Sequence, residues 1–282
     1  MRVLLILLFL IAGLSYGQVK VYTTVKPIAD IVSAITGSKV EYLIPPGVSP
    51  HIYELKASDL KKAYRSDLFI YIGTGEPRLT GLIESLPPER RIRIIDIRGL
   101  KLLGEEEEHH HDHEHHVHPA LWLDPDNAVV IARYIENRLE KIDPENANTY
   151  RDNLRTFVRK TENIKNYGLK KFSGLKNKKF ISYHYAWPYF TRAFGLEYAG
   201  VVEMGHGREP TPRHLLHLIK LIKRENIRAV FAAVQFYNSK YGELLKREAG
   251  IEIIFLDPFG IKMDYIQMMK YNIDRVYSGL SQ

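Results

Sequence analysis

Cysteine is absent from all 282 residues. That excludes disulfides, and it excludes a lipid-attachment cysteine after an export signal. Long apolar runs are almost as scarce. The one that stands out, Val3–Leu14, follows Arg2 and is followed by Ser15 and Gly17. It is too short for a transmembrane helix, which needs about twenty residues. Its flanks are those of a secretory signal peptide cleaved after Gly17. The expectation is an exported, periplasmic protein with no lipid anchor. Several catalytic signatures are also missing: there is no His-Glu-x-x-His helix, no Gly-x-Ser-x-Gly and no phosphate loop, since Gly73-Thr74-Gly75 is too short for one. The net charge is +7, yet no basic cluster interleaves with aromatics, so a nucleic-acid groove is not expected.

Histidine, by contrast, is concentrated. Residues 104–118 read GEEEEHHHDHEHHVH and hold seven of the twelve histidines beside six carboxylates. Such a run lacks the apolar residues needed to pack and predicts a solvated loop. Imidazole with carboxylate is a ligand set for zinc, copper, nickel or cobalt rather than for calcium or magnesium.

The rest of the chain alternates short β-rich runs with helical periods, the pattern of parallel sheets flanked by helices. Strands are expected at Lys20–Thr24, Val40–Ile44, Leu68–Ile72, Ile92–Ile95, Phe180–Tyr183, Glu197–Val202, Ala229–Ala233 and Glu252–Leu256. Helices are expected from Pro27 up to Gly37, and at Ala57–Ala63, Leu79–Leu86, Ala128–Lys141 (capped by Asp126 or Asn127), Tyr185–Phe194, Pro212–Arg224, Ser239–Ala249 and Met263–Tyr277. Between the two series, Glu145 to Lys171 is long and polar. Tyr150, Leu154, Phe157 and Ile164 give it one thin apolar stripe, as in a strut along two bodies. The expected fold class is α/β, with two similar lobes, each a mostly parallel sheet flanked by helices, joined by one long rigid helix. The expected divisions are a signal peptide at 1–17, an N-terminal lobe at 18–125, connecting helices at 126–173 and a C-terminal lobe at 174–282.

In open α/β sheets, ligands bind beyond the carboxyl ends of the strands. His51, His184 and Asp257 each follow an expected strand there. Two imidazoles and a carboxylate make a compact zinc site, but also the set used by zinc hydrolases and iron oxygenases, so the residues alone leave binding and metal-dependent catalysis both open. His214 and His217 share one helical face and read as surface residues.

Several segments carry a resemblance. Ser49-Pro50-His51-Ile52-Tyr53-Glu54 with Ala57-Ser58-Asp59-Leu60, Trp122-Leu123-Asp124-Pro125, His184-Tyr185-Ala186-Trp187-Pro188-Tyr189-Phe190, Glu209-Pro210-Thr211-Pro212 and Leu256-Asp257-Pro258-Phe259-Gly260 occur in this order. Together they resemble the zinc/manganese class of ABC-importer solute-binding proteins, over nearly the whole chain beyond the leader. The resemblance implies two lobes on a long helix, a metal buried between them, Zn2+ as the transported ligand (Mn2+ being the lesser expectation), an ABC permease as partner, and a monomer without enzymatic activity. A rigid strut implies small lobe motion. Matched position by position, His51, His184 and Asp257 correspond to the first, third and fourth ligands. The second does not match: the family's His falls at Ala120, and alanine cannot ligate. His118 is the expected replacement; a water or a metal-chelate substrate are the alternatives. Glu209, Tyr53 or Tyr189 are candidates to orient the imidazoles, and Trp122 and Trp187 are read as packing.

Overall fold

The computed structural model describes residues 19–104, 117–205 and 208–282. The expected signal peptide and all of the His-rich run except Gly104, Val117 and His118 lie outside the described residues. Among the described residues no helix is long and apolar enough to cross a membrane.

The first lobe runs β1 (Val21–Val25), α1 (Lys26–Thr36), β2 (Glu41–Ile44), α2 (Ala57–Arg65), β3 (Leu68–Tyr71), α3 (Thr80–Ser85) and β4 (Arg91–Arg93). The connecting helices are α4 (Pro125–Ile142) and α5 (Ala147–Ser173). The second lobe runs β5 (Lys179–Ser182), α6 (Pro188–Phe194), β6 (Glu197–Val201), α7 (Pro212–Arg224), β7 (Ala229–Ala233), α8 (Ser239–Ala249), β8 (Glu252–Leu256) and α9 (Tyr265–Leu280).

Each sheet is four-stranded and parallel, in the orders β2-β1-β3-β4 and β6-β5-β7-β8. The two orders are the same, so both lobes reverse direction at equivalent points, between β1 and β3 and between β5 and β7. Strands covered on both faces read as continuous apolar runs, and Leu68–Tyr71 (LFIY) and Ala229–Ala233 (AVFAA) are buried at every position.

Two helix starts differ by three residues from the sequence expectation. Helix α4 is capped by Asp124, whose carboxylate accepts from the Asp126 amide at 2.8 Å, and Pro125 takes the first position, where its missing N–H costs nothing. Helix α6 begins at Pro188 rather than Tyr185, because a residue before proline is driven out of the helical region, which leaves residues 185–187 outside the helix.

Helix α5 extends about 40 Å at 1.5 Å per residue. Its buried stripe is Tyr150, Leu154, Phe157, Thr161, Ile164, Gly168 and Phe172. The stripe packs on α1 and α4 of one side and on α6 and α9 of the other. At Gly168 a Cβ would stand 2.4 Å from Phe194 Cε1, so only glycine lets α5 and α6 approach this closely. The lobes are also joined directly. Trp122 Nε1 donates to the Pro258 carbonyl at 2.8 Å, Tyr265 Oη donates to the Trp122 carbonyl at 2.9 Å, and Arg192 pairs with the buried Asp124 at 2.8 Å. One apolar core runs through both, from Val25 and Ile70 to Phe231 and Ile254; a smaller one under α7 and α8 holds Tyr183, Leu218 and Leu245.

Candidate metal centre

A cavity of about 720 Å³ opens between the lobes at the carboxyl ends of the strands. Val25, Ile72, Thr74 and Glu76 wall it on one side and His184, Tyr185 and Phe236 on the other. These residues end or follow β1, β3, β5 and β7, the strands flanking the two reversal points, where open α/β sheets bind ligands. His51, His118 and His184 all line it.

His184 leaves the sheet just after β5. Its ring stacks on Phe236, with centroids 4.0 Å apart and planes 17° apart. Its Nδ1 lies 2.6 Å from Glu203 Oε2, both groups being largely buried. A carboxylate there fixes the tautomer with the proton on Nδ1 and leaves the Nε2 lone pair for a metal. Glu203 was not singled out in the sequence, although it stands just beyond the expected strand Glu197–Val202, where the strand-end rule applies.

His118 is 3 % exposed. The chain before it is pinned: Val117 pairs with Gly104 in an antiparallel bridge, the Thr74 hydroxyl donates to the Val117 carbonyl at 2.8 Å, and the His118 amide donates to the Leu103 carbonyl at 2.8 Å. The ring packs against Tyr185 and Tyr189. Nε2 donates to the Tyr185 carbonyl at 2.9 Å, and the Nδ1 lone pair accepts from the Ala120 amide at 3.3 Å, a long bond that a metal on Nδ1 would replace. Burial pushes the imidazole down to about 4, the Tyr185 carbonyl opposes this, and the nearby His184 and His51 add to it. The ring is therefore neutral at pH 7, the form that ligates metal. Pro119 and Ala120 continue the cavity wall.

His51 lies on a single 3₁₀ turn, Pro50–Ile52, beyond β2. Asp257 is placed differently. Its Oδ1 accepts from the Phe259 and Gly260 amides at 3.0 and 2.9 Å and its Oδ2 from the Ile261 amide at 2.5 Å, so the carboxylate closes the turn after β8, while its neighbours Pro258 and Phe259 line the cavity. Among the described residues no three His, Asp or Glu side chains stand close enough to hold one ion as they are.

The three residues expected to orient the imidazoles are engaged elsewhere. Tyr53 donates to Asp59 at 2.7 Å, Glu209 accepts from Tyr241 at 2.5 Å, and Tyr189 accepts from the Leu103 amide at 3.0 Å. The Glu203 carboxylate and the Tyr185 carbonyl take that role instead. Trp122 and Trp187 are buried, as packing residues are. His214 and His217, read as surface, line the cavity; His206 lies outside the described residues.

The chain is similar to the iron ABC transporter substrate-binding lipoprotein MtsA of Streptococcus pyogenes serotype M1, with 28 % identity over 94 % of this chain and 90 % of that one. It is similar to the manganese ABC transporter substrate-binding lipoprotein scaA of Streptococcus gordonii, with 27 % identity over 95 % and 91 %. The crystal structure of ZnuA superposes with a TM-score of 0.82 over 93 % of this chain and 99 % of that one, at 24 % identity, and shares the fold. The relatives' names overturn one expectation. They are lipoproteins, against an extracytoplasmic protein without a lipid anchor. Residues 21–279 match the family described as ZnuA, zinc-uptake complex component A, periplasmic. The chain belongs to this family of metal solute-binding proteins of ABC importers, which are not enzymes.

Proposed function

We propose that this protein captures zinc in the inter-lobe cavity on the extracytoplasmic side and delivers it, as a monomer, to an ABC permease, after export directed by residues 1–17. One observation carries the reading. Three imidazoles from separate segments meet one cavity, and two of them are held by the partners that ligating histidines use, the Glu203 carboxylate and the Tyr185 carbonyl. His51, His118 and His184 supply nitrogen donors. His118 stands in for the family's second histidine, which Ala120 cannot replace. The resemblance assigns the fourth place to Asp257. Its Oδ2 has a second lone pair beyond the Ile261 amide, and using it requires the turn at 256–260 to shift toward the cavity. Three neutral imidazoles favour zinc over manganese, which prefers oxygen. The His-rich composition of 104–118 supports weak multisite collection of the same ions ahead of the cavity.

The test is a competitive zinc titration at neutral pH on the mature chain, a variant lacking residues 105–116, and His184→Ala. One tight site is expected to survive the deletion and vanish in His184→Ala. Tight binding that ignores His184→Ala overturns the cavity assignment. Parallel competition with Mn2+ and Fe2+ decides the metal, since relatives are named for both; tighter retention of either refutes zinc.

A further inference from the structure

All five histidines among the described residues, His51, His118, His184, His214 and His217, line the same cavity. The capture site uses three. We infer that His214 and His217 form a second, weaker site for a divalent transition metal of the zinc, nickel and copper group, on the wall that leads to His184. The inference rests on the zinc reading above.

The pair lies in the first turn and a half of α7, three residues apart, a spacing that places Cβ atoms about 5–6 Å apart on one face. Leu215, Leu218 and Ile222 bury the neighbouring face of the helix, so the two imidazoles flank the buried stripe. His214 is already oriented. Its Nε2 donates to the Val201 carbonyl at 2.8 Å, which fixes the tautomer and leaves the Nδ1 lone pair with no hydrogen bond among the described residues. A ring nitrogen tied to a carbonyl with the other lone pair open is the arrangement of a ligating histidine. His217 is exposed and completes a two-nitrogen chelate, with water filling the remaining positions. Val201 closes β6, and Glu203, two residues on, holds His184. The pair and the capture site are thus linked by one short stretch of chain.

Two features make this site weak. It has only two protein donors, and it sits at the amino end of a helix, whose dipole opposes a cation. Two neutral imidazoles still select zinc, nickel or copper over calcium and magnesium. A weak site on the wall of the cavity fits a loading station that gives up its ion to the deeper imidazoles.

The test uses the full mature chain with the seven histidines outside the described residues, His109, His110, His111, His113, His115, His116 and His206, replaced by Asn. Equilibrium dialysis against Zn2+ is expected to show one tight and one weaker ion. His217→Gln, at an exposed position, is expected to remove the weaker ion and leave the tight one and the metal-free unfolding midpoint unchanged. A parent that binds a single ion, or a His217→Gln variant that still binds two, overturns the proposal. The capture site is read separately through His184→Ala, which removes the tight ion and leaves the weaker one; a tight ion surviving that change overturns the zinc-site reading instead.

Discussion

Replacing Glu76 with Gln should make the protein more stable at pH 8 and change it by less than about 1 kcal/mol near pH 5. Glu76 sits in the turn after β3, on the cavity wall, and is 7 % exposed. Its Oε2 accepts from the Ile72 and Gly73 amides at 3.0 and 3.2 Å. Its Oε1 is buried without a hydrogen bond, and the hydroxyl of the adjacent Thr24, which also lacks one, offsets only part of the cost. Burial pushes the carboxyl from 4.5 up to about 7. Between those two values the native chain keeps a proton that the unfolded chain has released, so stability falls as pH rises through the window and levels off above it. At 1.36 kcal/mol per pH unit the loss is about 3 kcal/mol. Glutamine is neutral throughout. Its carbonyl keeps the two amide donors, and its NH2 faces the Thr24 hydroxyl. Urea unfolding of both proteins, with chelator present, from pH 5 to pH 8 measures the difference directly. Asp30, which burial pushes up to about 6, and every other titrating group are common to the two proteins and cancel. Two stability curves that run parallel would show that the Glu76 carboxyl titrates normally, and the argument from its burial would be wrong.

Other substitutions test the frame and the site. Glu203→Gln should lower zinc affinity about 10–100-fold, the usual effect of losing a carboxylate behind a ligating histidine, with little change in metal-free stability; an unchanged titration would remove Glu203 from the site. Gly168→Ala should destabilise by about 1–3 kcal/mol through overpacking against Phe194, beyond the gain of up to about 1 kcal/mol that alanine brings to a helix, and would appear as a lower urea midpoint at unchanged slope. Arg192→Ala strands the buried Asp124 carboxylate with only the Asp126 amide and should cost about 2 kcal/mol in the same assay. Zinc binding should weaken as pH falls toward 4, where the buried His118 imidazole takes up a proton; titrations at pH 4 and pH 7 that coincide would argue against His118 as a ligand.

Most of the architecture was legible because parallel strands buried on both faces read as unbroken apolar runs between turn residues, and α7, α8 and β7 fall where periodicity places them. The two helix starts misplaced by three residues trace to proline. Pro125 and Pro188 each define a first helical position, and their effects on the preceding residue outweigh the apolar pattern. The site was legible in part. The strand-end rule picks out His51 and His184 and applies equally to Glu203, which sits where it says a functional side chain should. It says nothing of His118, which hangs from a bridge between Gly104 and Val117 instead of a strand; only the gap left by Ala120 draws attention to it. Asp257 shows the converse. An aspartate before Pro-Phe-Gly fits both a ligand and a turn cap, and in this structure its oxygens face three backbone amides. His214 and His217 lie beside the buried stripe of α7, and periodicity cannot tell a solvent-facing flank from one facing a cavity.

The arrangement bears on how an ion is taken and given up. Opening two lobes like a hinge would break the buried bonds between Trp122 and Pro258 and between Tyr265 and Trp122, the Asp124–Arg192 pair, and the core that runs from Ile70 to Ile254. Each buried hydrogen bond or ion pair left without its partner costs about 1–3 kcal/mol or more, and α5 would have to slide along helices on both sides. The groups around the cavity mouth are held far less. His51 is on one 3₁₀ turn, Glu203 lies in the bend after β6, and Phe236 follows β7 in a turn. In the proposed site, gathering three imidazoles around an ion and releasing it therefore costs least when the His51 turn and the bend at Glu203 move while the buried His118 stays in place. The buried bonds between the lobes set their separation.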